Sequence, residues 1–323
     1  MTTPLNLVAD IGGTNTRVAL ADGKAVRQDS IRRYANADFP SLEPVLTRYL
    51  AEEGIARVEG ACVAAAGPVR DGVAVMTNLA WTIDAAQLTR ATGAAHTAIL
   101  NDLQAQGHAL GHIAPQFLRP LIAGPQQSGA AMLVVGVGTG MNAAPVHNTA
   151  AGRVVAASEC GHIAMPVRNE TDFRLMKFIE GHGLHAHGFA GVEDILAGRG
   201  LERLHAFVTH EAGAMQELGA AQIMQALGAG DPLARQTAAL YVRLLGNELG
   251  NLALIHLPFG GLYLIGGVAR AMVPYMSEMG LTEAFRDKGR FGDFMKDFAV
   301  FAVEDDYAAL TGCAAFLTNA AAA

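Results

Sequence analysis

Apolar runs of strand length alternate along this chain with stretches whose apolar residues recur at helical spacing, and glycines mark most of the changes. "LNLVAD" at Leu5 predicts a strand, "IGGTNT" a turn and "RVALAD" a second strand. The same grammar returns from Ala131 to His147, "AMLVVGVGTGMNAAPVH", where Gly136, Gly138 and Gly140 interrupt an apolar run that resumes with small residues. Two such units suggest an internal duplication, at a spacing too long for a solenoid repeat. Leu42, Val45, Leu46 and Leu50 predict a helix that stops at Gly54, and "VEGACVAAAGPV" predicts a strand entering a Gly-Pro turn. "TAILND" is another short strand, ending in Asn101 and Asp102, with the helical pattern "LQAQGHALGHI" behind it. A long, mostly apolar helix, "DPLARQTAALYVRLLGNELGNLALIHL", is predicted from the Asp231-Pro232 cap signal onward. "GGLYLIGGVARAMVPYM" reads as strand, Gly266-Gly267 turn and helix; "KDFAVFAVEDD" is a last strand and "YAALTGCAAFLTNAAAA" a final helix. Strands and helices that alternate throughout predict an α/β fold, and 323 residues favour two domains. No low-complexity linker appears, so the boundary is expected to be a hinge within the fold.

Composition narrows the class. With 51% apolar and 16% charged residues, the chain has material for a large buried core. A net charge of −7 argues against a nucleic-acid surface, because a phosphate backbone selects Lys/Arg-rich faces. No apolar stretch reaches the roughly 18 uninterrupted residues of a membrane span. The opening residues lack a signal-peptide pattern, and Cys62, Cys160 and Cys313 form neither a CxxC nor an even-numbered framework, so the expectation is a reducing cytoplasm.

The glycine turns carry the first candidate chemistry. In "DIGGTNT", a carboxylate, paired glycines and Thr/Asn offer a cation-binding group, open backbone N–H donors and hydroxyls in one turn. Such a turn suits phosphate with magnesium; it equally suits a tight turn in a buried hairpin. It is neither a P-loop, since no GxxxxGK[ST] exists, nor a Rossmann fingerprint, since a strand follows the glycines. "GVGTG" at Gly136 to Gly140 and the strand-Gly-Gly-helix unit from Leu262 to Val268 repeat the theme, and three such units favour the phosphate cradle.

At this point the chain resembles the bacterial glucokinases of the non-ROK type, on the two-domain actin-like (ribonuclease H-like) sugar-kinase fold. The resemblance covers nearly the whole chain and rests on "DIGGTNTRVAL", "AGPV", "TNLAW", "ILNDLQAQ", "GVGTG", "ECGH", "LGNELGNLAL", "GGLYLIGGVAR" and "TEAFRDKGRF", in that order. The zinc-binding cysteine cluster of the ROK group and an N-terminal helix-turn-helix are absent from the sequence. The resemblance implies two α/β domains closing over a cleft: a small one from residues 1–110 plus 303–323, and a large one from 111–302. It also implies a homodimer, and transfer of a phosphoryl group from ATP with Mg2+ to the 6-hydroxyl of glucose, giving glucose 6-phosphate and ADP for glycolysis.

Phosphorylating a neutral hexose needs a general base, side chains that read the other hydroxyls, and electrostatic relief for the moving phosphoryl group. Asp102 is the candidate base; its other role would be to N-cap the following helix. Glu159 and His162, three apart among small residues, can accept from and donate to adjacent hydroxyls. By resemblance, Asn78, Asn101, Asp102, Glu159, His162 and Glu193 bind glucose. Asp10 then holds magnesium through water, and Gly12, Gly13, Thr14, Asn15, Gly138, Thr139, Gly140, Gly266 and Gly267 surround the nucleotide. The rivals are a kinase of the same fold for another hexose or an amino sugar, and a non-catalytic sugar sensor.

Several features stand apart from the pattern. Where the family has GTGLG this chain reads "GTGMN", so Asn142 either narrows the phosphate loop or adds a hydrogen bond. The family's EGGH is "ECGH" here, and Cys160 reads as a small buried filler, with redox sensitivity as the alternative. His182, His185 and His187 cluster without partners at a recognised metal spacing. "RDKGRF" from Arg286 is expected to be a solvated basic stretch, and the apolar helix from Leu240 to Leu254 to be either core or interface.

Overall fold

The computed structural model describes residues 5–76, 79–185, 188–214 and 216–320; Asn78 and His187 lie outside the described residues. Two compact units emerge: residues 1–115, 146–156 and 305–323 form one, and 116–145 with 157–304 the other.

The first unit is built on a sheet of β1 (Leu5–Ile11), β2 (Asn15–Asp22), β3 (Ala25–Val26), β4 (Arg32–Ala35), β5 (Gly60–Ala65) and β9 (His96–Asn101), in the order β3-β2-β1-β5-β9 with β4 paired to β2. Strands β1 and β2 form an antiparallel hairpin, while β5 and β9 run parallel to β1. Helices α1 (Leu42–Glu52) and α2 (Ala85–Thr92) contribute Val45, Leu46, Tyr49 and Leu88 to a core with Leu7, Ala9 and Ile11. On the other face α3 (Asp102–Ala109) and α11 (Ala308–Ala320) bring Ala105, Leu310, Cys313 and Leu317 against Val8, Ala19 and Cys62. Burial on both faces is why β1 and β5 read as continuous apolar runs rather than alternating ones. A small sheet of β6 (Val69–Arg70), β7 (Val73–Val75) and β8 (Thr82–Asp84) completes this part.

The second sheet has the order β10-β15-β14-β11-β12-β13, from β10 (Leu118–Ile122), β11 (Met132–Val137), β12 (Met141–Thr149), β13 (Gly152–Val155), β14 (Leu262–Ile265) and β15 (Val300–Val303). Its run β13-β12-β11-β14-β15 repeats the order β3-β2-β1-β5-β9, again with parallel pairing of β11 to β14 and β14 to β15. The repeated glycine-turn grammar thus corresponds to a repeated sheet. Residues 146–156, the hairpin that closes this series, cluster with the first unit because Gly107 of α3 lies against Val146 and Val155.

The second unit's helices are α4 (Glu170–Gly181), α5 (Glu193–Leu196), α6 (Gly198–Glu211), α7 (Ala220–Gly228), α8 (Pro232–His256), α9 (Gly267–Met276) and α10 (Leu281–Arg286). Asp231 caps α8 by accepting from Leu233 N and Ala234 N, as its Asp-Pro start predicts. Leu244, Leu245, Leu249 and Leu252 of α8 are buried in this unit's core, so those positions of the apolar helix are core. Gly246 and Gly250 let α10 approach; a Cβ at Gly250 would stand 2.5 Å from Phe285 O. Among the described residues no helix is long and apolar enough to cross a membrane.

Helix α11 packs closely on α3, where a Cβ on Gly312 would stand 1.7 Å from Ala105 O. Alanine in place of a helical glycine ordinarily stabilises by up to about 1 kcal/mol. Here the clash is with backbone, which a rotamer change does not relieve, so it outweighs that gain. Gly312→Ala is expected to lower the unfolding free energy by about 1–3 kcal/mol in urea titration; an unchanged midpoint would refute the contact.

Candidate active site

In the first unit, parallel pairing sets β1, β5 and β9 side by side, with Asp10 opposite Ala64 and Asn101 opposite Ala65. Asp10 faces Arg17 across the hairpin, and Arg17 Nη1 donates to Asp10 Oδ2 at 3.2 Å. Burial pushes the Asp10 carboxyl above the usual carboxylate range, and Arg17 pulls against that rise. Beyond Ile11 the chain turns through Gly12, Gly13 and Thr14, with Gly12 N donating to Asn15 O at 3.0 Å. Buried Asn36 clamps this turn: its Nδ2 donates to Gly12 O at 2.8 Å, its own N donates to Thr14 O at 2.9 Å, and Thr16 Oγ1 donates to its Oδ1 at 2.8 Å. Gly13 and Thr14 stay exposed.

At the end of β9 the helix cap is Asn101, not Asp102. Asn101 Oδ1 accepts from Leu103 N at 3.0 Å, and Gln104 Oε1 accepts from Asn101 N at 3.2 Å, closing a capping box. Asn101 Nδ2 also donates to Gly67 O at 3.0 Å, which ties the "AGPV" turn to this corner. Asp102 is the first residue of α3, and its Oδ1 accepts from Leu103 N at 2.8 Å. Burial, reinforced by the negative charge of Asp10, raises the Asp102 carboxyl to about 6 against that hydrogen bond.

The second unit gathers its own set. Gly138 N donates to Gly140 O at 2.9 Å in the turn between β11 and β12, and Gly198 N donates to Gly138 O at 2.9 Å. Gly266 has φ +104°, and a Cβ there would stand 2.2 Å from Val137 O, so only glycine lets the end of β14 lie against the end of β11. Gly138 thereby comes beside Gly267, at the start of α9, which has no side-chain cap. Glu193 Oε2 accepts from Met141 N at 2.9 Å, and a Cβ at Gly140 would meet that same oxygen at 2.7 Å. A Cβ on Gly161 would stand 2.0 Å from Met141 O. Hence the glycine turn, Glu193 and the segment carrying Glu159 and His162 form one close-packed group. Glu159 Oε2 and His162 Nε2 are 3.9 Å apart, with the Glu159 side chain 75% exposed.

A family model described as Glucokinase matches residues 7–320. The chain belongs to the glucokinase family. A glucokinase of Nostoc punctiforme is 31% identical over 337 aligned positions, covering 96% of this chain and 98% of that protein. The crystal structure of a glucokinase from an Antarctic psychrotroph matches with a TM-score of 0.89 at 29% identity, over 98% of this chain and 99% of that one. A ROK hexokinase from Thermus thermophilus matches at a TM-score of 0.69 and 21% identity, over 97% of each chain, a likeness of fold alone. The fold is the actin-like sugar-kinase fold, as the sequence predicts.

Lys288 and Cys160 resolve differently from their sequence patterns. Lys288 of "RDKGRF" is not a solvated cation: its Nζ donates to Asn247 O at 2.8 Å and Asn251 Oδ1 at 2.7 Å, and burial lowers its pKa. It anchors the loop after α10 onto α8. Among the described residues no group of three His, Cys, Asp or Glu side chains is placed to hold a metal ion; His182 Nδ1 instead contacts Phe178 O at 2.8 Å. Cys160 is half-buried rather than enclosed, and touches Asn142. Sequence patterns gave no sign of Asn36, because a buried asparagine after a short strand has no periodic or motif signature.

The raised carboxyl of Asp102 has a consequence for stability. A carboxyl whose folded pKa lies above its unfolded value contributes stability below the unfolded value and loses it as pH rises through about 6. Asp102→Asn keeps the acceptor for Leu103 N and removes the charge. Thermal denaturation should show Asp102→Asn more stable than the wild type at pH 8, with the difference shrinking below about pH 6. Equal melting temperatures at pH 8 would mean the carboxylate is not disfavoured in its site.

Proposed function

We propose that the protein phosphorylates glucose at the 6-hydroxyl with ATP, with Asp102 as general base. The observation that carries this reading is a carboxyl at a strand end, held at about 6 beside the phosphate-type turn of a glucokinase-family chain. A base with that pKa is ionised at neutral pH, yet remains basic enough to take the hydroxyl proton as the oxygen attacks the γ-phosphorus in line. Glu159, His162 and Glu193 read the other hydroxyls, with Asn78 assigned to the sugar by its motif alone. Asn101 places Asp102 through the capping box, in addition to its assigned contact with sugar.

The nucleotide's phosphates are assigned to the turn of Gly12, Gly13, Thr14 and Asn15, where Gly13 and Thr14 are exposed, to the turn of Gly138, Thr139 and Gly140, and to the start of α9 after Gly266. Mg2+ commonly uses one or two carboxylates together with substrate phosphates and keeps several waters, so the single carboxylate of Asp10 fits it. Asp10 would hold the ion through water, and the ion supplies charge neutralisation across the phosphates. The reading also takes the enzyme to act in the cytoplasm as a homodimer.

A coupled assay of ADP release over a panel of hexoses and amino sugars tests the substrate. Glucose should give the highest kcat/KM; a higher value for another sugar, or thermal stabilisation by sugar without turnover, would overturn the assignment. Asp102→Ala should lower kcat by about 10² to 10⁴ with the fold intact; retention of more than a tenth would remove the base role.

A further inference from the structure

Asn142 and Cys160, departures within the GTGMN and ECGH motifs of the sequence, meet in the structure. Asn142 lies at the second position of β12, directly after the Gly138–Gly140 turn and beside Met141. Its Oδ1 accepts from Cys160 N at 3.2 Å and Ser158 Oγ at 3.2 Å, and the Cys160 Sγ lies 3.5 Å away. Its Nδ2 donates to Ser158 O and, at 3.4 Å, to Glu159 Oε2. One carboxamide thereby takes up the backbone of residues 158 to 160 on both its donor and acceptor sides. The side chain points toward that segment, so the narrowing of the phosphate turn considered from sequence is not what it does. The Glu159 side chain is three-quarters exposed, with His162 Nε2 at 3.9 Å as its other close polar neighbour among the described residues.

We propose that Asn142 is a positioning residue that latches the Ser158–Cys160 segment to the strand leaving the glycine turn, and so fixes Glu159 for the sugar. The latch rests on the glucose-binding role given to Glu159 above. A glycine at 142 would leave Ser158 O to water and Cys160 N with Ser158 Oγ, 3.2 Å away, as its remaining acceptor, and Glu159 would sample more orientations.

Hydrogen exchange and steady-state kinetics on the full chain separate the two layers. In Asn142→Ala, exchange at the Cys160 amide should accelerate about two- to tenfold, the loss expected when one neutral hydrogen bond is removed and Ser158 Oγ remains as acceptor. The KM for glucose should rise about tenfold, while the KM for ATP stays within about twofold. Asn142→Asp keeps the acceptor for Cys160 N, loses donation to Ser158 O and sets a charge beside Glu159. It should retain the amide protection and still raise the glucose KM. Unchanged exchange in Asn142→Ala, or exchange in Asn142→Asp as fast as in Asn142→Ala, would overturn the latch. Lost protection with an unmoved glucose KM, or equal shifts for glucose and ATP, would overturn the positioning role. A wild-type enzyme without glucose turnover would instead overturn the functional reading, and the exchange result would still decide the latch.

Discussion

Parallel pairing is the constraint from which the rest follows. In each of the two large sheets a strand-turn-strand hairpin is flanked by strands that run parallel to its first member, so the turns and polar strand ends emerge at a common edge. Parallel strands need long crossovers and are buried on both faces, which leaves their carboxyl ends as the places where polar side chains meet solvent. Asp10, the Gly12–Thr14 turn, Asn101 and Asp102 share such an edge in the first unit. The Gly138–Gly140 turn and Gly266 share one in the second.

Close approach at these edges depends on missing side chains. Gly161 and Gly266 leave no space for a Cβ, and Gly140 would meet the Glu193 carboxylate if it had one. The Glu193 carboxylate consequently has a structural tie to the glycine turn through Met141 N, alongside the sugar role proposed for it. Asn142 adds a second tie one residue later. Residues assigned to the nucleotide and to the sugar within this unit are therefore supported by one another.

The strand-turn-strand units, the helix from Pro232 to His256 and the strand before Gly266 were legible because their signals are local: apolar run length, an Asp-Pro cap and paired glycines. The duplicated sheet order was legible only as a hint, since strand order is set by contacts distant in sequence. Local pattern was misleading at Lys288, where a basic run reads as solvated although one lysine finds carbonyl and amide acceptors on α8. It was silent on Asn36, and on whether Asn101 or Asp102 caps α3. The capping box settles that choice with Asn101, which leaves Asp102 as a helix-start carboxyl raised by burial.

That carboxyl is the centre of the account, because it is where burial, the neighbouring charge of Asp10 and the start of α3 combine. Cost and use go together: the environment that disfavours the ionised form also makes it a better proton acceptor. The pH dependence of kcat/KM for glucose tests this most directly. The account predicts an acidic limb that falls as pH drops through about 6, the value set by the Asp102 site. A profile that stays flat down to the ordinary carboxylate range would contradict it.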